Sequence, residues 1–128
     1  MSTALIVLHV DDEDDIREVA AFALELDPGV SLISAASGEA AMSALDGGLR
    51  PDVILLDVMM PHLDGPGTLA RLRERPDHQQ TPVIFMTARA QSGEVDPYKA
   101  LGALDVIIKP FDPMTLAGDV RAILAARP

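Results

Sequence analysis

Ala4-Leu5-Ile6-Val7-Leu8-His9-Val10 runs directly into Asp11-Asp12-Glu13-Asp14-Asp15. A near-continuous apolar run that stops at acids reads as a strand buried on both faces, the kind found in a parallel sheet covered by helices. A helical pattern follows over residues 14–26, with Ile16, Val19, Ala20, Ala23 and Leu26 at the spacing of an inward face. Asp27-Pro28-Gly29 ends it. The same grammar returns at residues 52–57, where Val53-Ile54-Leu55-Leu56 leads to Asp57.

Outward from these two strands, apolar runs keep alternating with amphipathic stretches. Residues 30–35 form a more polar strand, and residues 38–45 a short helix closed by Gly47-Gly48. Residues 61–67 are a loop, with Pro66 suited to the first turn of the next helix. Residues 82–87 form a fourth strand. Residues 90–101 look helical, although Pro97 removes a backbone donor and should shorten or bend the helix. Residues 105–108 are a fifth strand. The last helix spans residues 112–126, with Leu116, Val120, Ile123 and Leu124 inward. Successive strand–helix units imply an α/β, doubly wound parallel sheet with right-handed crossovers. The polar second strand belongs at an edge and the apolar first and third in the middle, which the order 2-1-3-4-5 satisfies. Its switch point, between the first and third strands, is where such sheets bind ligands.

The chain has 128 residues, enough for one domain over 1–128 with a proper core. It has no Cys, so disulfides and thiolate metal sites are excluded. No apolar run approaches the roughly 20 residues that cross a bilayer, and Met1-Ser2-Thr3 lacks the basic start of a secretory signal. We therefore expect a cytoplasmic protein with no membrane partner. The formal charge is −10, from 20 acids against 10 bases. That balance argues against nucleic-acid binding, which needs Lys and Arg to displace counterions, and against docking on anionic lipid. Asp14 and Asp15 read as acids complementing a helix start.

Four strands carry a polar or charged group at the carboxyl end: Asp11-Asp12, Asp57, Thr87 and Lys109. In the expected order these strands are neighbours about 4.8 Å apart. Carboxylates so close raise one another's pKa unless a cation neutralises them. Oxygen-only ligands select a hard ion, Mg²⁺ or alternatively Mn²⁺. Lys109 adds fixed positive charge and Thr87 a hydroxyl donor. Together these groups form a cradle for a phosphoryl group, with Asp57 as nucleophile at its centre.

Val10-Asp11-Asp12-Glu13, Leu56-Asp57-Val58-Met59-Met60-Pro61, Asp64-Gly65, Met86-Thr87-Ala88 and Lys109-Pro110-Phe111 resemble, in order and spacing, the signature blocks of response-regulator receiver domains. The resemblance runs from Leu5 to about Leu124 and implies a single flavodoxin-like (βα)5 domain of two-component signalling. It further implies that Asp57 takes a phosphoryl group from a phosphohistidine on a sensor histidine kinase or a histidine phosphotransfer protein. By the same resemblance Asp11, Asp12, Asp57 and the backbone carbonyl of Met59 hold Mg²⁺, with Asp12 closer than Asp11. Thr87, Ala88 and Lys109 belong to the phosphoryl-binding set, and the Lys109-Pro110 bond is cis. The chain is then a phosphoacceptor that assists its own phosphorylation and dephosphorylation, not an enzyme acting on others.

The sequence departs from that family at Val106, three residues before the lysine, where the family often has Tyr or Phe that swings inward on phosphorylation. Reporting of the phosphoryl group is expected to pass instead through residues 88–101, which contain Gly93 and Pro97. Met59 and Arg89 stand where related receivers tune acyl-phosphate hydrolysis. Neither can hold an attacking water, so a long-lived phosphorylated state is expected. Asp105 and Arg121 are placed on a face of the fourth and fifth helices through which related receivers dimerise.

Of the remaining residues, His9 reads as a hydrogen-bonded core residue and His62 and His78 as solvated loop residues. Phe22, Phe85 and Phe111 read as core packing, and Met42, Met86 and Met114 as gap fillers. Tyr98 reads as core packing or a partner contact. Three other functions compete. A haloacid-dehalogenase-type phosphatase needs an acid two residues after its nucleophile, where this chain has Met59. An interaction module that is never phosphorylated usually lacks an acid, the threonine or the lysine, all present here. A receiver fragment of a larger regulator is the third. The residues after Phe111 suffice only for a last helix, so the expectation is a stand-alone receiver without an output domain, acting on an unknown downstream protein through protein contacts.

Overall fold

The computed structural model describes residues 4–88 and 95–127. β1 (Leu5–Val10) sits between β2 (Val30–Ala35) and β3 (Val53–Asp57). β4 (Val83–Thr87) and β5 (Asp105–Ile108) complete the sheet. All pairs are parallel and the order is β2-β1-β3-β4-β5, as the strand polarities required. β3 and β4 are buried at every position, whereas β2 at the edge is only partly covered.

The helices divide between the two faces. α1 (Asp14–Glu25) and α5 (Leu116–Ala125) cover one, through Ala20, Ala23, Leu24, Leu116 and Val120 packed on Val7, Leu55, Ile84 and Met86. α2 (Gly38–Asp46), α3 (Gly65–Arg73) and α4 (Val95–Ala100) lie over the other, where Met42, Leu45, Leu69 and Leu72 meet Leu8, Leu56 and Phe85. Strand alternation produces this split, because odd and even residues of each strand point to opposite faces.

Local chemistry sets the helix ends. The Ser37 hydroxyl accepts from Ala40 N at 3.0 Å and starts α2. The Asp64 carboxylate accepts from Gly67 N at 2.7 Å and starts α3, with Pro66 in its first turn. The last helix begins at Leu116, not residue 112, because Asp112 bonds its own turn: its carboxylate accepts from Met114 N at 2.9 Å. Pro97 is the third residue of α4, where its missing N–H breaks no helical bond. Residues 90–94 of the expected longer helix lie outside the described residues.

Several expected core residues are not in the core. Val19, Phe22 and Leu26 are 42%, 61% and 48% exposed. Apolar residues on α1 make two stripes, and the stripe with Ala20, Ala23 and Leu24, where the two alanines allow close approach and Leu24 fills the core, faces the sheet. Met114 is exposed in the turn before α5. His78, expected in solvent, is buried in a short 3₁₀ turn (Pro76–His78). Its Nδ1 lies 3.0 Å from Thr81 Oγ1, and Arg73 Nη1 donates to the carbonyls of both residues at 2.8 Å. Phe85, Met86 and Met42 are buried, and Phe111 is half-buried against the core. Among the described residues no helix is long and apolar enough to cross a membrane.

Candidate functional site

The parallel ladder ends four strands at one rim, and the residues next to those ends converge. Asp11 follows β1 and is still held in the ladder, its N–H donating to Ala35 O at 3.1 Å. Asp57 is the last residue of β3, and Val58 N donates to Met86 O at 3.1 Å, which fixes the backbone just beyond it. Thr87 ends β4 and is buried, and Ala88 follows it, exposed. Lys109 follows β5, its N–H donating to Thr87 O at 2.9 Å, and the Lys109-Pro110 bond is cis.

One carboxylate oxygen from each of Asp11, Asp12 and Asp57 lies within 4.8 Å of the others. Asp11 and Asp57 are buried and Asp12 is exposed at the mouth. Lys109 Nζ donates to Asp11 Oδ2 at 2.6 Å and to Asp57 Oδ1 at 3.0 Å, bridging the two buried acids. Burial pushes the Asp57 carboxyl above the usual carboxylate range, and the Asp11 charge adds to this, against the pull of Lys109 and the Met59 N–H. Burial pulls the Lys109 ammonium down, but its bonds to Asp11 and Asp57 outweigh that and hold it above its ordinary value. The donors are all oxygen and carry three formal negative charges against one ammonium, a set that fits a hard divalent ion such as Mg²⁺.

The sequence candidates Asp11, Asp12, Asp57 and Lys109 are therefore brought together, and Thr87 and Ala88 sit at the next strand end. The Met59 side chain is 68% exposed, while its backbone N–H reaches the Asp57 carboxylate. Sequence reading missed Arg17. One turn into α1, it donates from Nη1 to the Asp11 carbonyl at 2.7 Å and pairs with Asp14. Glu13 N also donates to Asp11 Oδ1 at 2.9 Å, so both ends of Asp11 are tied. A basic residue one turn after an acidic strand end was the available signal.

His9 is fully buried on β1, as expected, but neither ring nitrogen has a hydrogen-bond partner among the described residues, contrary to the expected hydrogen bond. Burial lowers its pKa to about 4, so the ring is neutral near pH 7. Packing draws the histidine in with the apolar strand around it. Val106 is half-buried against the core, and the Tyr98 ring meets Phe85 edge-on at 5.3 Å, so Tyr98 packs against the core. Asp105 and Arg121 pair with different elements. Arg121 Nε binds Asp27 Oδ2 at 2.6 Å in the α1–β2 turn, while Asp105 lies 4.0 Å from Lys99 of α4. Arg89 and Gly93 lie outside the described residues.

The model of the response regulator receiver domain family matches residues 7–121. The transcriptional regulatory protein CseB of Streptomyces avermitilis is 42% identical over 118 residues, covering 92% of this chain and 48% of that protein. The transcriptional regulatory protein CpxR of Escherichia coli K12 is 40% identical, again over 92% of this chain and 48% of its own length. The chain thus spans about half the length of the curated relatives it matches. Chemotaxis protein CheY4 of Vibrio cholerae superimposes with a TM-score of 0.84 at 31% identity, covering 95% of this chain and 99% of CheY4. The Francisella response regulator 1452 receiver domain gives a TM-score of 0.81 at 30% identity, over 94% and 96% of the two chains.

Proposed function

This chain belongs to the response regulator receiver domain family, and on that premise we propose that Asp57 accepts a phosphoryl group from a phosphohistidine of a histidine kinase or a histidine phosphotransfer protein. The observation that carries this is the convergence of Asp11, Asp12 and Asp57 within 4.8 Å with Lys109 bridging two of them. A carboxylate oxygen of Asp57 attacks phosphorus as the P–N bond to the donor imidazole breaks, and the bonding electron pair leaves with the imidazole nitrogen. The Asp57 carboxylate gains a mixed anhydride bond, and the donor histidine returns neutral after taking up a proton.

Asp11, Asp12, Asp57 and the Met59 carbonyl are the proposed Mg²⁺ ligands, and the ion supplies charge neutralisation for the transferring group. Lys109 contributes a positive charge for the phosphoryl oxygens, and Thr87 a hydroxyl at the adjoining strand end, with Ala88 beside it. In the resting site the Lys109 hydrogen bond to Asp57 opposes the upward push of burial and of the Asp11 charge on that carboxyl. The chain acts as a signalling phosphoacceptor, assisting its own phosphorylation and dephosphorylation.

Curated relatives carry the name transcriptional regulatory protein. In this chain the −10 charge disfavours direct DNA contact by the receiver itself, so its output is proposed to pass through protein contacts, in the cytoplasm. The test is incubation with Mg²⁺ and a small phosphodonor, read by intact mass. The wild type gains one phosphoryl group and Asp57→Asn does not. A wild type that gains none, or an Asp57→Asn variant that gains it equally, overturns the assignment.

A further inference from the structure

We infer that Gly65 is a positioning residue for Asp57: the missing side chain at the start of α3 sets where the nucleophile's backbone lies. A Cβ built on Gly65 would stand 2.5 Å from the Asp57 carbonyl oxygen, 2.8 Å from Val58 Cα and 3.2 Å from the Asp57 carbonyl carbon. The first of these is about 1 Å short of comfortable contact. These are backbone atoms of the strand end itself, which no rotamer change can move aside.

Neither partner of this contact has room to retreat. On the strand side, Asp57 is registered against Met86, and Val58 N donates to Met86 O at 3.1 Å. On the helix side, Gly65 N donates to Val58 O at 3.0 Å, and Leu69 and Leu72 seat α3 in the core. Behind α3, its first turn meets the start of α2. A Cβ on Gly38 would lie 2.3 Å from Thr68 Oγ1 and 2.9 Å from Leu63 Cδ2. The first turn of α3 is thus wedged between the Asp57–Val58 backbone and Gly38, and added bulk at position 65 must displace Asp57 relative to Asp11, Asp12 and Lys109. Misplacing a reacting group by about 1 Å can cost up to a hundredfold in rate.

The inference rests on Asp57 being the phosphoacceptor. Its test measures phosphorylation rate at saturating Mg²⁺ with a small phosphodonor, and Mn²⁺ affinity by titration, for wild type, Gly65→Ala, Gly38→Ala, Leu72→Ala and Gly118→Ala. Gly118 has no atom within 4 Å of its would-be Cβ, so Gly118→Ala should match wild type. Leu72→Ala loosens α3 from its far end and reports general destabilisation. Gly65→Ala is expected to slow phosphorylation about tenfold or more and to weaken Mn²⁺ binding while still unfolding cooperatively. Gly38→Ala, whose would-be Cβ meets the Thr68 and Leu63 side chains and not the Asp57–Val58 backbone, should slow it about two- to threefold, and Leu72→Ala should keep the wild-type rate.

A folded Gly65→Ala with wild-type rate and Mn²⁺ affinity overturns the inference and leaves the Asp57 assignment standing. So does a Leu72→Ala rate as low as that of Gly65→Ala. If Gly65→Ala does not fold, Gly38→Ala decides: a wild-type rate there overturns the inference. If the wild type itself takes no phosphoryl group, the Asp57 assignment fails and the positioning role falls with it.

Discussion

Lys109 Nζ stands 2.6 Å from Asp11 Oδ2 and 3.0 Å from Asp57 Oδ1, joining the ends of β1, β3 and β5 across 98 and 52 residues of chain. The Lys109 side chain is 13% exposed and those of its partners 0% and 6%, so this is a buried triad at the rim of the sheet. A single cation balances two carboxylates, and the exposed Asp12 adds a third. The site therefore holds three carboxylates against one ammonium, an imbalance that a divalent cation would offset.

Lys109→Met removes that counter-charge and leaves Asp11 and Asp57 facing each other. Breaking a buried ion pair is costly, and allowing for water at the open mouth, the variant should lose about 2–3 kcal/mol of stability in EDTA. Millimolar Mg²⁺ should restore part of the loss, because a divalent ion replaces the missing positive charge. Urea unfolding with and without Mg²⁺ checks this, and an equal loss in both buffers would contradict it.

Leu24→Ala and Phe22→Ala separate the two stripes of α1. Leu24 is fully buried, so truncation leaves a cavity and should cost about 2–4 kcal/mol. Phe22 is 61% exposed, and its loss should change stability by less than about 0.5 kcal/mol. Denaturant midpoints of the two variants decide it. Comparable losses would mean that Phe22 packs against the protein.

The strand core and the acidic rim could be read from the chain because each rests on a local pattern. Val53-Ile54-Leu55-Leu56 before Asp57 states both burial and direction, and the polarity of β2 against β1 sets the sheet order. What could not be read depends on how elements meet. Val19, Phe22 and Leu26 fit a helical period as well as Ala20, Ala23 and Leu24 do, and only the packing of α1 on the sheet chooses between the stripes. His78 is buried because Arg73 draws the carbonyls of His78 and Thr81 inward. Arg121 meets Asp27, 94 residues away, a pairing that helical position alone does not reveal.

That Asp27–Arg121 bond supports the pH-dependent prediction. The hydrogen bond from Arg121, aided by the Gly29 N–H, holds the Asp27 carboxyl below its ordinary value. A folded-state pKa below the unfolded one means the group contributes stability above the unfolded value near 3.8, and that contribution fades as pH falls through the folded value. Arg121→Ala should raise the Asp27 pKa in a carboxylate NMR titration and lower the urea midpoint at pH 7. At pH 2.5 the gap between variant and wild type should narrow, and 1 M NaCl should narrow it at pH 7. A gap that does not change with pH would break the link to Asp27.

Met59 bears on how long the phosphorylated state lasts. Its side chain is 68% exposed at the rim, two residues after Asp57, and its thioether is a poor acceptor with no donor. It cannot hold or orient a water for attack on an acyl phosphate. Asn at this position brings an amide oxygen and two donors to the same rim, while the backbone N–H that reaches the Asp57 carboxylate is retained. Met59→Asn should therefore shorten the half-life of phosphorylated Asp57 about three- to tenfold, less than the roughly hundredfold or more of full general base catalysis, because an amide orients a water without taking its proton. The forward rate with excess donor should change little, because that step needs the acids, Lys109 and the divalent ion, all untouched. Decay followed by intact mass after removal of the donor and addition of EDTA or Mg²⁺ measures it. An unchanged half-life in Mg²⁺ would place control of hydrolysis elsewhere at the rim.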